Sequence, residues 1–188
     1  MQIAFPGPPL VFPDPPLAEG GIVLRRMEAD DIGWITVACA NREVSRYVPG
    51  IPYPYTEADA RAFAENTARR WAEGLGAAFV IAQAPGGQGL GMIELHRALG
   101  DPGLAEVGYW LCREAWGNGA ATTAVRLVAG WAFRELGIGR LNLQTAPENL
   151  ASQRVAERAG FTREGLLRAW LPTANGRRDS VMFSLLPS

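Results

Sequence analysis

Hydrophobic positions along the chain change period several times, and each change marks an element. Ile22-Val23-Leu24-Arg25-Arg26-Met27 reads as a first strand, and Asp30 or Asp31 offers an N-cap to a helix ending near Cys39. The prolines within Val48–Tyr55 rule out regular pairing, so that stretch is loop. Thr56 opens a second helix, with Asp59 at its third position and Ala60, Phe63, Ala64, Thr67 and Trp71 at helical spacing. Three strands follow in succession, Ala77–Ala84, Leu90–His96 and Ala105–Leu111. Gly86-Gly87-Gln88-Gly89 and Gly100-Asp101-Pro102-Gly103 separate them, and turns of that kind predict an antiparallel meander. Beyond Gly117 a helical period governs through Ala121, Ala124, Val125, Val128, Trp131, Ala132 and Leu136, giving a long helix that runs to about Glu135. Strand Arg140–Thr145, helix Leu150–Ala159 and the strand pair Phe161–Leu171 and Ser180–Leu186 complete the pattern.

Strand, helix, strand after a meander predicts one α/β (mixed α+β) domain. Its twisted sheet has about seven strands, part antiparallel and part parallel, flanked by about four helices. Residues 1–20 hold six prolines between positions 6 and 16. They read as an extended Pro-rich arm, either wrapped on the domain or loosely ordered, with residues 21–188 as the domain itself.

Composition narrows the function classes. A chain of 188 residues, 48% hydrophobic and 20% charged, suits one soluble core. A net charge of −1 without long runs of either sign argues against a nucleic-acid partner. Cys39 and Cys112 form no disulfide framework and read as free thiols, and a single histidine gives no zinc cluster, so no metal is expected. No apolar run is long enough to cross a bilayer, and no basic residue precedes Arg25 as a signal peptide would need. The expectation is a cytoplasmic protein without a membrane partner.

The most informative stretch is Tyr109-Trp-Leu-Cys-Arg-Glu-Ala-Trp-Gly-Asn-Gly-Ala-Ala-Thr122, where a strand ends, two glycines turn the chain and a helix opens. Unpaired N–H groups and the positive end of a helix dipole meet there, which suits a phosphate. A P-loop would need a lysine after the glycines, and a dinucleotide fingerprint would need glycine at position 122, where Thr stands. A plain strand–helix connection is the remaining alternative.

Other stretches agree with the phosphate reading. Ala105-Glu-Val-Gly-Tyr-Trp-Leu111, the loop Trp116-Gly-Asn-Gly-Ala-Ala121, Asn149-Leu-Ala-Ser152 and Val155-Ala-Glu-Arg-Ala-Gly-Phe161 follow in order before a terminal strand closing on Leu185-Leu186. Together they resemble the GCN5-related N-acetyltransferases (GNAT), in particular the RimJ/RimL-type ribosomal-protein acetyltransferase branch, from about Pro15 to Leu186. One position departs, since Trp116 stands where the family often has Gln or Arg.

The resemblance implies acetyl-coenzyme A, or another acyl-CoA, as co-substrate. It implies that Tyr109, Trp110 and Leu111 meet it, Leu111 through its backbone on the pantetheine arm. Trp116, Gly117, Asn118, Gly119, Ala120, Ala121 and Thr122 would hold the pyrophosphate. Asn149 would bond the pantetheine amide, and Ser152 would stand near the sulfur to give the departing thiolate a proton. From local sequence alone, Asn149 is equally a helix N-cap with Ser152 in the first turn.

Acyl transfer to an amine, from a protein N-terminus or a small molecule, also needs a proton acceptor. Glu106 and Glu94 are the candidate bases, with His96 beside them as the more structural group. Some relatives place a glutamate nineteen residues after the motif serine, and Leu171 occupies that position here. Tyr47, Tyr53, Tyr55 and the segment Trp170 to Arg178 are the candidate walls of the acceptor pocket. Arg177 and Arg178 could meet an acidic acceptor or be simply solvated. A homodimer is compatible with the sequence but not required by it. The alternative to an enzyme is an acyl-CoA-binding or sensing module of the same fold without turnover.

Overall fold

The computed structural model describes residues 8–85, 87–173 and 176–187. The elements follow as β1 (Ala18–Glu19), β2 (Ile22–Arg25), α1 (Asp31–Ala40), α2 (Arg42–Ser45), α3 (Glu57–Ala72), β3 (Gly76–Gln83), β4 (Gly89–Arg97) and β5 (Leu104–Leu111). A short 3-10 turn at Arg113–Ala115 leads to α4 (Ala120–Glu135), β6 (Arg140–Thr145), α5 (Leu150–Arg158), β7 (Thr162–Thr173) and β8 (Gly176–Leu185). Of the turns expected from sequence, Gly86 lies outside the described residues, as do the tip of the last hairpin at 174 and 175 and the first seven residues of the arm.

Among the described residues, eight strands form one sheet in the order β1-β2-β3-β4-β5-β6-β8-β7. All neighbours are antiparallel except β5 and β6. The meander and the mixed sheet are as expected. The count exceeds seven strands and four helices because β1 spans two residues and α2 a single turn, too short to leave a periodic signal.

Alternation along the strands sorts the side chains into two cores. Phe79, Ile81, Ile93, Leu95, Ala105, Val107, Leu141, Leu143 and Phe183 face α4 and α5. Ala78, Val80, Ala82, Met92 and Trp110 face the other way and pack with Ile32, Ile35 and Cys39 of α1 and Ala60 of α3.

Local chemistry fixes the helix starts. Thr56 and Asp59 close a reciprocal capping box, as the sequence predicts. The start of α1 differs from expectation: Asp30 holds the N-cap position but makes no side-chain cap. Buried Asp31 instead takes both terminal nitrogens of Arg25 at 2.7 Å, the Glu28 N–H at 2.8 Å and the Trp34 indole at 2.7 Å. Burial alone would raise that carboxyl, but these donors hold it below the usual range.

The described part of the Pro-rich segment lies on the domain. The Leu10 N–H donates to the Trp71 carbonyl at 2.9 Å, and Phe12 packs against Trp71 and Phe79 with centroids 5.7 and 5.5 Å away.

Candidate active site

The site begins with a strand pairing that stops early. β5 and β6 are in register only from Leu104–Glu106 to Arg140–Asn142, after which the strands part. β5 runs on to Leu111 held by β4 alone, and β6 runs on to Thr145 held by β8 alone. A cleft of about 510 Å³ opens in the gap. The Cys112 N–H donates to the Leu90 carbonyl at 2.8 Å, which makes that pair a hydrogen-bonded one. By alternation, Val107, Tyr109 and Leu111 turn their backbone groups away from β4 and into the cleft. The Leu111 carbonyl accepts the Trp116 indole N–H at 3.0 Å, so its N–H is the group left for a ligand.

Because the opening runs between two strands, it pierces the sheet and is lined from both faces. On the α4/α5 face, Gly117 and Gly119 both sit at φ 82°, a left-handed backbone that favours glycine over any residue with a Cβ. The first intrahelical bond is Thr123 N–H to the Gly119 carbonyl at 3.1 Å. Among the described residues, no acceptor is found for the N–H groups of residues 117 to 122. No acidic residue stands in the first turn of α4 to oppose an anion. On the same face the Asn149 side chain accepts the Ser152 N–H at 3.2 Å, and the Ser152 hydroxyl meets the Tyr109 hydroxyl at 2.9 Å. Burial pushes the Tyr109 hydroxyl up to about 12, against the opposing pull of Ser152, so it stays protonated at neutral pH.

On the α1/α3 face stands Glu106, whose carboxylate accepts the Gln144 amide at 2.7 Å. Burial raises its pKa and the Gln144 bond lowers it in part. The Ser180 hydroxyl in turn reaches the Gln144 side-chain oxygen at 3.5 Å. Tyr47, Val48 and Pro49 from the loop after α2, and Leu171 and Arg178 from the last hairpin, complete this side. A donor cradle on one face and a half-buried carboxylate on the other suit a reaction that joins two substrates through the sheet.

Comparison with known proteins decides the family. The sequence model described as the acetyltransferase (GNAT) domain matches residues 22–162. This chain belongs to the GNAT acetyltransferases. It is therefore an acyl-CoA-dependent N-acetyltransferase with acetyl-CoA as co-substrate and an amine as acceptor. The N-acetyltransferase p20 of Bacillus licheniformis is 29% identical over 165 residues, 88% of this chain and 92% of that one. A RimJ from Mycobacterium smegmatis, solved with a CoA-disulfide, superposes with a TM-score of 0.78 at 21% identity, covering 88% of this chain and 81% of that one. A spermidine N-acetyltransferase from Vibrio cholerae, solved with CoA and spermine, gives 0.74 at 24% identity, covering 89% and 96%. At those identities the two solved structures speak for the fold alone.

Within this acetyltransferase, most residues singled out from sequence meet in one place. Glu106, Tyr109, Trp110, Leu111, Trp116, Gly117, Gly119, Ala121, Thr122, Asn149 and Ser152 line the cleft, whereas Asn118 and Ala120 do not. Trp110 lines the cleft but packs its indole on the α1 side, with its ring centroid 5.9 Å from that of Trp34. Trp116 is half exposed beside the loop, with the Arg113 guanidinium 5.7 Å from its ring.

Glu94 shares the face of Glu106 but does not line the cleft. It lies 3.6 Å from His96, and burial pushes it up to about 7 and His96 down to about 4. The helix-cap and ligand readings of Asn149 are compatible, because its cap uses only the side-chain oxygen. Neither Gln144 nor the contact of the Tyr109 hydroxyl with Ser152 is singled out by the sequence. Gln144 alternates with apolar Leu141 and Leu143, a sign that its face of β6 meets something polar.

Proposed function

We propose that the chain moves an acetyl group from acetyl-CoA to a primary amine by direct attack within a ternary complex, with Glu106 as general base. The observation that carries this reading is the pierced sheet: unpaired amides at 117–122 on one face and Glu106 on the other share one cleft. The residues fit the co-substrate, since its diphosphate needs donors without competing carboxylates, and α4 opens with both conditions met. When bound, acetyl-CoA supplies a thioester carbonyl whose thiol is a good leaving group.

The protein's own groups do the rest. Glu106 accepts a proton from the incoming ammonium, and its raised pKa brings it closer to that of an amine. The new N–C bond forms as the C–S bond breaks, and the Leu111 N–H stands ready for the oxyanion. The Tyr109–Ser152 hydroxyl pair gives the departing sulfur its proton and regains one from the second proton that the nitrogen sheds as the amide forms. The acceptor is a protein N-terminus or a small-molecule amine. An α-amine, with a pKa of about 7.7–8.0, asks less of Glu106 than a lysine at about 10.4.

The same reading puts the chain in the cytoplasm, where Cys39 and Cys112 stay reduced. It pairs the chain with a second copy along edge strand β7, where Leu166 and Trp170 stand 48% exposed, and light scattering tests that pairing. The activity itself is tested by calorimetry with acetyl-CoA and thiol release over a panel of peptide and small amines. Tight binding with no release for every amine would replace the enzyme with an acyl-CoA sensor.

A further inference from the structure

We propose that Arg178 selects the acceptor by reading a carboxylate or carbonyl oxygen carried close to the amine, so that amines bearing such an oxygen are acetylated in preference to polyamines and plain alkylamines. The inference rests on the acetyltransferase reading of the cleft and deepens it at the acceptor end.

Two adjacent arginines of β8 are placed for different tasks. Arg177 is exposed and gives its guanidinium to the carbonyls of Ala169 and Trp170. It thereby locks the bulge in β7 where Ala169 has φ 47°. Arg178 points to the other face by alternation and lines the cleft. One of its terminal nitrogens donates to the Tyr47 carbonyl at 3.3 Å, tying the hairpin to the loop after α2. Its Nε is buried and has no acceptor among the described residues, and no carboxylate pairs with it there. The result is a half-buried cation at the cleft mouth, anchored at one corner and short of a counter-ion.

Arg178 and the base line the same cleft, joined through β8 and β6. Ser180 lies two residues along the same face of β8, and a hydrogen-bond chain runs from it through Gln144 to Glu106. Two residues of extended strand span about 7 Å. An amine at Glu106 and an oxygen at Arg178 therefore occupy one cleft, and the proposal requires a single acceptor that spans both.

The other charges at the mouth point the same way. The Arg46 guanidinium lies 4.4 Å over Tyr47, and Glu43 is engaged by Arg113. On this side an acceptor thus faces the base Glu106 and two guanidinium groups, Arg46 and Arg178, so that a further ammonium of a polyamine, beyond the one held at Glu106, meets repulsion. An oxygen-bearing amine meets a guanidinium fork whose geometry suits carboxylate and carbonyl acceptors. An adjacent carbonyl also lowers the amine pKa toward the α-amine value, which suits a carboxylate base.

The test is thiol release at saturating acetyl-CoA with alanine, alaninamide, a tripeptide with a free amino terminus, propylamine and spermidine. The wild-type chain should favour at least one oxygen-bearing acceptor over propylamine and spermidine by 10-fold or more in kcat/KM (about that much for one charge-assisted bond). Arg178→Leu should lose at least 10-fold more on that acceptor than on propylamine, mostly in KM, while Arg178→Lys keeps part of the preference. Turnover of alanine alone identifies a carboxylate as the group read, and comparable turnover of alaninamide and the tripeptide identifies a carbonyl.

Equal losses on every acceptor would reduce Arg178 to a brace for Tyr47, and a wild-type preference for spermidine or propylamine would overturn the proposal outright. Should Arg178→Leu fold poorly, the wild-type acceptor order and Arg178→Lys still decide. Wild-type chain that binds CoA yet turns over no amine would remove the enzyme reading, and this proposal with it.

Discussion

The two ends of the cleft are built in opposite ways. On the proposed assignment the co-substrate end comes from two continuous stretches, residues 116–122 and 149–152, and its main tools are backbone amides shaped by Gly117 and Gly119. The proposed acceptor end is assembled from the loop after α2, β5, β6 and the β7–β8 hairpin, and its tools are the side chains of Tyr47, Glu106, Gln144, Leu171 and Arg178. Backbone donors depend on conformation more than on residue identity. Trp116 can therefore replace the family's usual Gln or Arg, its indole simply turning to the Leu111 carbonyl. An acceptor end made of side chains from distant elements can change with a few substitutions and leave the fold intact.

The largest effect should come from breaking the backbone end. Gly119→Glu forces a side chain into a left-handed conformation and sets a negative charge beside the diphosphate. Calorimetry should show CoA affinity falling by roughly 100-fold or more, while Gly119→Ala, which carries the strain without the charge, falls less. Unchanged affinity in Gly119→Glu would detach this loop from the co-substrate.

Glu106→Gln should do the converse, lowering kcat by about 100-fold while CoA affinity stays within about twofold. Because burial holds the Glu106 carboxyl above its ordinary range, the acid limb of the pH–rate profile should lie above that of a free glutamate. Gln144→Leu removes the donor that favours the charged form and should move the limb further up. A limb that stays put in Gln144→Leu would mean another group sets it.

The legibility of the sequence divides along the same line. Thr56 with Asp59, the 3.6 period of α4 and the turn-separated meander are local patterns, and each element appears where its pattern placed it. Gly117 and Gly119 were readable for the same reason. Glu94 and Glu106 looked equivalent in sequence, since both are lone carboxylates on apolar strands facing the same side. Only the early parting of β5 from β6 distinguishes them: it opens the sheet beside Glu106, while Glu94 stays enclosed between β3 and β5. Arg25 with Asp31, and Arg178 with Tyr47, depend on where the chain returns after long or irregular excursions, which no local period encodes.

Tyr109 and Ser152 bridge the two ends, and their effect should be smaller than that of either. Tyr109→Phe and Ser152→Ala should each slow turnover by about tenfold, because a thiolate needs little help to leave. Since the two hydroxyls share one hydrogen bond, the double variant should lose much less than the product of the single losses. Fully multiplicative losses would separate them into independent roles. CoA affinity should hold in Tyr109→Phe, whose lost hydroxyl faces Ser152.

The smallest effect sharpens the contrast between the two carboxylates. Glu94 is largely enclosed, its side chain 22% exposed, with Ala78 and Gly108 opposite it and His96, Arg70 and Tyr55 as the titratable or charged groups facing it. Its folded pKa of about 7 exceeds the unfolded value of about 4.3. Between those values the native state binds more protons than the unfolded chain, so Glu94's contribution to stability is full below about pH 4.3 and is lost as pH rises through 7. Glu94→Gln stays uncharged throughout. It should nearly match the wild type near pH 4.5 and exceed it at pH 8 by about 3 kcal/mol, roughly 9 °C in melting temperature. Turnover should fall far less than in Glu106→Gln, because Glu94 does not reach the cleft. A loss of rate equal to that of Glu106→Gln, with no pH-dependent gain in melting temperature, would make Glu94 the base and reverse the assignment.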